Sequence, residues 1–402
     1  MTNIWTPDSR QVPMSSDDIT PTDEQFEAIK EIKDWYNSSK KNRRKMYYSL
    51  LGVAGTGKSS IIPFIINELG LNESTVAVCS FTGKATLVLK RRGISYAKTI
   101  HQTIYDIKIN VLPDGHKEVT FRRKKNLNRT KLIIVDEASM IDEKMHKDLS
   151  SYHLPILYIG DPFQLPPISG NWNVMQNADY EIKTILRQAK ENPIIRAADL
   201  IRRGEILPYC ETSLFTKIPR SKFEFGMLKD YEQIAVGRNC EREDINKRYR
   251  QEILNIHGNN PQPGEKLVVL HNNYIENLFN GQCVFLGEHC SMTKQKKQYY
   301  YHLEYIDELE LTDIVCALNS NGYKHGFFTI GISPDEYTSH ESSVIHADFG
   351  YALTVHKMQG SQWNSVAVFD KGFGLWQKGL HERWLYTAIT RAKEKVLIVS
   401  GK

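Results

Sequence analysis

The stretch Gly52-Val53-Ala54-Gly55-Thr56-Gly57-Lys58-Ser59 limits this chain more than any other. It fits G-x-x-x-x-G-K-[ST] without a gap. Met46-Tyr47-Tyr48-Ser49-Leu50-Leu51 precedes it as a buried strand, and Ile61-Ile62-Pro63-Phe64-Ile65-Ile66 follows as a helix with an early proline. Strand, glycine loop and helix are the setting a phosphate-binding loop requires. Glycines let successive N–H groups turn inward, and the helix N-terminus adds partial positive charge. The candidate nucleotide contacts are therefore Gly52, Ala54, Gly55, Thr56, Gly57, Lys58 and Ser59. Lys58 would reach the β- and γ-phosphates and Ser59 would hold Mg²⁺. A chance glycine turn would need neither the strand nor the helix.

Further strands end in chemistry of the same kind. Lys131-Leu132-Ile133-Ile134-Val135-Asp136-Glu137 is an apolar run closing on two carboxylates, at the strand end where ligands sit in open parallel sheets. Asp136 would complete the Mg²⁺ shell, and Glu137 is positioned to polarise an attacking water. Ile156-Leu157-Tyr158-Ile159-Gly160-Asp161 is another strand, ending in Pro162-Phe163-Gln164, where Gln164 would bond a γ-phosphate. Upstream, Thr22 is a plausible cap for an amphipathic helix through Ile29, Ile32 and Trp35. Gln25 on it lies just ahead of the phosphate loop, and its amide both donates and accepts, as an adenine edge requires.

Composition narrows the class. The chain has 402 residues, enough for two or three domains, with 41% apolar and 25% charged residues. Lys and Arg exceed Asp and Glu by 52 to 47, which permits a nucleic-acid partner without requiring one. The cations cluster at Lys40–Lys45, Arg122–Lys125 and Lys294–Lys297; each cluster alone reads as a solvated face. Six cysteines (79, 210, 240, 283, 290 and 316) form no C-x-x-C pair, which suits reduced thiols. No apolar run approaches the ~18 residues of a membrane span, and the N-terminus does not read as a signal peptide. The expectation is a cytoplasmic protein without a membrane partner.

Residues 1–20 read as a loose polar arm, and 21–101 with 131–204 as a first α/β domain. Within it, 102–130 reads as a β insertion, turning at Pro113-Asp114-Gly115 and carrying Phe121 and four basic residues. A helix is expected from Ile185 to a C-cap at Arg203-Gly204. The proline-spotted 205–230 suggests a linker. Residues 231–282 and 344–402 read as a second α/β domain, interrupted at 283–343 by a β-rich module.

The order GVAGTGKS, FTGKA, VDEAS, GDPFQLPP, LRQ, LTVHKMQGSQW and YTAITRAK resembles the motif series of superfamily 1 helicases, nearest to the RecD/Dda type of superfamily 1B. The likeness runs from Gln25 to Lys393. It implies two RecA-like P-loop NTPase domains with ATP between them, a pin at 102–130 and an SH3-like second insertion. By that likeness Gln25 contacts adenine, Gly360 lines the nucleotide, and Arg187 and Arg391 reach the γ-phosphate. Phe81, Thr82, His101, Thr354 and His356 match DNA-facing positions, and Phe121 sits on the pin. Gln362 stands where the family often carries an acid. The implied cofactors are ATP and Mg²⁺. The implied partners are single-stranded and forked duplex DNA, with replication or recombination proteins, for a monomer in the cytoplasm, that of a bacterial host if phage-encoded.

Three readings follow: a 5′→3′ DNA helicase, a translocating ATPase that strips proteins or acts on RNA, and a nucleotide-gated binding module with vestigial hydrolysis. Glu137 and Arg391 argue against the last, which needs neither a base nor an arginine finger.

Overall fold

The computed structural model describes residues 20–42, 45–111, 117–167, 173–186, 189, 191–273, 276, 278–295, 298–307, 324–330, 344–371 and 379–401. The expected arm up to residue 19, the Pro113-Asp114-Gly115 turn, Arg187, and the stretches 308–323 and 331–343 lie outside the described residues.

The first domain is built on β1 (Tyr47–Gly52), β2 (Val76–Ser80) and β3 (Lys98–Thr99), followed by a hairpin of β4 (Tyr105–Val111) and β5 (Lys117–Arg123), then β6 (Leu132–Asp136), β7 (Ile156–Gly160) and β8 (Tyr180–Ile182). The hairpin stands apart; the other strands form one sheet in the order β3-β2-β6-β7-β1-β8, with every pairing parallel. Parallel strands covered on both faces read as continuous apolar runs, and β6 and β7 are buried along their whole length. Helix Asp23–Asn42 lays Ile29, Ile32 and Trp35 on one face of the sheet; Ile133, Val135 and Tyr158 build the core of the other. Because the strands share one direction, Gly52, Ser80, Thr99, Asp136 and Gly160 all finish at one edge, where a ligand can be met by several loops.

The second domain comprises β9 (Cys210–Glu211), β10 (Phe215–Pro219) and β11 (Gln233–Val236), then β12 (Lys266–Val269), β13 (Cys283–Gln295), β14 (Gln298–Asp307), β15 (Lys324–Ile330) and β16 (Val344–Phe349), then β17 (Ala352–Thr354), β18 (Trp363–Asp370) and β19 (Ala392–Ser400). Its sheet runs β17-β11-β18-β19-β10-β9, parallel except for β9. The linker expected over 205–230 is corrected by this order. β10 is hydrogen-bonded to β19 and buries Phe215 and Ile218. Pro219 ends the strand, a position that proline tolerates.

A second correction concerns helix Pro193–Arg202, expected in the first domain. Its buried Ile194, Ala197, Ala198 and Ile201 share a core with Trp384, Leu385, Ala388, Val396 and Ile398 of the second. Each buried isoleucine contributes about 1.5–3 kcal/mol, so the helix is held by the second body. It begins at Pro193 rather than Ile185, with Asn192 Oδ1 accepting the Ile194 N–H at 2.8 Å.

Strands β12 to β16 close into a barrel. It is wider than the expected 283–343, because β12 and β16 are needed to close it. A buried clamp secures the barrel: Arg250 donates through Nε and Nη2 to the two carboxylate oxygens of Glu265, at 2.6 and 3.0 Å, and to the carbonyls of Gly258 and Asn260. Among the described residues no helix is long and apolar enough to cross a membrane.

Candidate active site

The loop after β1 closes on itself through Thr56, which is fully buried and donates its hydroxyl to the Val53 carbonyl at 2.9 Å. Gly57 has φ 69° and caps a short 3-10 turn, Lys58–Ile61, that runs into helix Ile62–Glu68. A Cβ at Gly57 would sit 2.8 Å from Gln25 Nε2 in a left-handed backbone, so only glycine fits there. Gln25 is itself buried. Its Nε2 donates to the Thr56 carbonyl at 2.9 Å and its Oε1 accepts the Thr22 N–H at 2.9 Å. The amide that the family likeness assigns to adenine thus also fastens the first helix to the loop.

Ser59 Oγ donates to Asp136 Oδ1 at 3.0 Å, joining the loop to the end of β6. Burial, then the neighbouring Glu137 carboxylate, pushes the Asp136 carboxyl up; Arg92 and Lys58 pull it back. Hydroxyl and carboxylate together are the oxygen donors a magnesium ion takes. Glu137 follows with φ 56° and ψ 40°. Its Oε2 and Gln164 Oε1 are both buried without a hydrogen-bond partner. Two orphaned acceptors facing one space suit water molecules, which can donate to both; a phosphate would be met by Gln164 Nε2, the donor of the same amide.

That space is a cavity of about 690 Å³ between the domains. Gln25, Ala54, Gly55, Gly57, Lys58, Ser59, Asp136, Glu137 and Gln164 line it from the first domain, and Gly360, Gln362 and Arg391 from the second. Arg391 is buried, with Nε donating to the Thr387 carbonyl at 3.1 Å and its other nitrogens to the Ser361 carbonyl and Thr390 Oγ1 at 3.4 Å. It faces the cavity while held by its own domain.

The seam beside the cavity contains residues that motif reading did not single out. Tyr386, on helix Leu380–Ile389, donates its hydroxyl to Asp161 Oδ2 at 2.7 Å and accepts the Ala54 N–H at 2.8 Å. Asp161 Oδ1 also takes the Phe163 N–H. Thr387 Oγ1 accepts the Leu165 N–H at 3.0 Å, and Gln359 Nε2 donates to the Leu165 carbonyl at 2.9 Å. Lys84 Nζ lies 4.0 Å over the Trp363 ring, a cation–π contact across the seam. Gly360 has φ 76°, and a Cβ there would stand 2.6 Å from Thr82 Oγ1. The only prior signal for these contacts was their place inside motifs.

The positions matched to DNA contact are spread over both domains. Phe81 is half-buried against the first-domain core. Thr82 caps helix Gly83–Arg91, its Oγ1 accepting the Ala85 N–H at 3.2 Å. His101 stacks on Tyr105 at 5.7 Å between centroids, and Tyr105 meets Phe121 edge-on at 6.4 Å. Phe121 is 48% exposed on the hairpin. Thr354 is buried before the short helix Val355–Met358 and makes no side-chain cap. Burial lowers the pKa of both His101 and His356, and, with Arg242 next in effect, pushes Lys357 down to about 8.

The fold and the site define a P-loop nucleotide protein of two RecA-like domains, with its cavity at their seam. Matches to known proteins agree: a family model described as an AAA domain covers residues 24–213, and one for a UvrD-like helicase C-terminal domain covers 349–399. The RecD2 ATP-dependent DNA helicase of Deinococcus radiodurans is 24% identical over 86% of this chain and 46% of its own length. The Dda helicase of Enterobacteria phage T4 is 31% identical over 40% of this chain and 39% of its own. The chain thus spans less than half the length of these relatives. The fold is shared with Pif1 from Candida albicans (16% identity, TM-score 0.54, covering 95% of this chain and 94% of that one) and with Bacteroides Pif1 bound to ssDNA (15%, 0.53, 95% and 92%). Over these spans the chain is similar to ATP-dependent DNA helicases of the RecD2 and Dda type.

Proposed function

We propose that this chain is an ATP-driven DNA helicase that moves 5′→3′ on single-stranded DNA and opens duplex ahead of it. The observation that carries the reading is the composition of the seam cavity, with Lys58, Ser59, Asp136, Glu137 and Gln164 from one domain and Arg391 from the other. Lys58 and the loop N–H groups bind and orient the phosphates, while Ser59 and Asp136 hold the Mg²⁺ that accompanies ATP. Glu137 Oε2 takes the proton of the attacking water, and Gln164 senses the γ-phosphate. Arg391 adds charge stabilisation only when the domains close, so hydrolysis is coupled to their spacing. The relatives named as DNA helicases, and the neighbour bound to ssDNA, support DNA as the track.

The test is ATP turnover with and without poly(dT), followed by unwinding of forks carrying a single 5′ or 3′ tail. DNA-stimulated turnover with unwinding from the 5′ tail is expected. Stimulation without unwinding on either fork would reduce the chain to a translocase, and unwinding only from the 3′ tail would overturn the polarity.

A further inference from the structure

A second cavity, of about 1040 Å³, lies along the β3 edge of the first sheet beside the hairpin. Lys98, Lys108, Arg122, Lys125 and Arg129 line it, against the acids Glu73 and Asp106. All five cations are exposed, and none makes an ion pair with a described residue. Lys124, also on the wall, is spent on construction: its Nζ donates to the carbonyls of Gln102 and Thr103, both at 2.9 Å, which locks the hairpin base. An excess of five exposed cations over two acids in one groove raises the local concentration of an anionic partner.

The hairpin register says which anion. Alternate residues of a strand point to opposite faces, and Asp106 pairs with Arg122 while Lys108 pairs with Thr120. Tyr105 and Phe121 therefore take the other face, where His101 stacks on Tyr105. One face of the hairpin is aromatic and continues the row of His101; the opposite face carries Lys108 and Arg122 with Asp106 beside them and forms the wall of the groove. The groove then runs past Val76 and Ser74 at the start of β2, away from the sheet edge that carries the phosphate loop.

We propose that this groove is a binding site for single-stranded phosphodiester backbone and receives the strand displaced at the fork, while the tracked strand passes the aromatic face. The proposal rests on the helicase reading above. A wedge with unlike faces sends the two strands apart, and holding the displaced one opposes reannealing behind the hairpin.

The test compares the parent with a Lys98→Ser, Lys125→Ser, Arg129→Ser variant, whose changes lie on exposed positions outside the cleft. Affinity is measured across a salt series for two forks, one bearing both tails and one bearing only the tracked tail. Each lost phosphate contact on a single strand removes about 0.7 from the slope of log K against log salt. The variant should therefore lose about 2 from the slope on the two-tailed fork, nothing on the one-tailed fork, and none of its poly(dT)-stimulated turnover. In the parent, a photoreactive thymidine in the displaced tail should crosslink within residues 96–129. Equal losses on both forks, or loss of poly(dT) stimulation, would assign the groove to the tracked strand and overturn the proposal. No loss on either fork, or a crosslink elsewhere, would overturn it too and leave the groove to an acidic protein. Unwinding by the parent is the control: if it fails, the helicase reading falls and takes this proposal with it, whereas failure of tail dependence in a parent that unwinds falls on the proposal alone.

Discussion

Glu137 Oε2 and Gln164 Oε1 are the acceptors in the cleft that the protein leaves unsatisfied, whereas Ser59 and Asp136 satisfy each other. The difference separates residues waiting for a reactant from residues that hold geometry. Glu137→Gln keeps the size of the side chain and removes only its basicity. It is expected to bind ATP like the parent and to lose turnover by about 10²–10⁴-fold, the usual share of a general base. Lys58→Ala is expected to lose turnover through lost nucleotide affinity instead. Fluorescent-nucleotide titration beside steady-state turnover distinguishes the two; a Glu137→Gln protein with parental turnover would remove the base assignment.

At the scale of elements, the Arg250–Glu265 clamp and the hairpin carry the clearest expectations. Glu265 is 1% exposed, so Glu265→Ala leaves the Arg250 charge buried and unpaired. It should destabilise by about 3–5 kcal/mol in chemical denaturation, while an Arg250→Met, Glu265→Leu pair should recover much of that. Replacing 112–121 by a short Gly-Ser turn should spare DNA-stimulated turnover and abolish unwinding, because opening a stacked step costs roughly 1–2 kcal/mol and needs a rigid wedge. Equal unwinding by both proteins at matched turnover would make the hairpin ornamental. The same scale shows what could be read from the sequence. β1, β2, β6 and β7 were legible because strands buried on both faces are apolar throughout, and the edge-facing Lys58, Asp136 and Glu137 followed from where those strands end. Helix Pro193–Arg202 was assigned to the wrong domain because an apolar face such as Ile194, Ala198 and Ile201 carries no address. β10 was hidden by Pro219, and β12 by having only four residues and no alternation.

For the whole molecule the question is what joins two domains whose spacing must change. Tyr386 bonds the phosphate loop and Asp161 from the far domain, through its single hydroxyl. Tyr386→Phe strands a buried carboxylate oxygen and the Ala54 N–H, a penalty of about 1–3 kcal/mol. The nucleotide-free protein should then populate a wider form, visible as a larger radius of gyration in solution scattering; an unchanged radius would make Tyr386 a local packing residue. Arg391→Ala should differ in kind, binding ATP with modest loss and losing DNA-stimulated turnover by about 10³-fold or more. Loss of affinity in proportion to rate would make it an ordinary binding residue. Neither bond of Tyr386 was legible beforehand, since a tyrosine within a helical motif does not reveal which surface its hydroxyl will cross to.

The left-handed backbone at position 137 has a consequence for how the chain could be improved. Glycine adopts φ 56° freely, whereas a residue with a Cβ gives up about 1–2 kcal/mol there. A campaign that selected only for thermal resistance would be drawn to Glu137→Gly, and would arrive at a hardier protein with no base. Durability and turnover pull in opposite directions at that one position, and an engineer must look for added stability elsewhere in the chain.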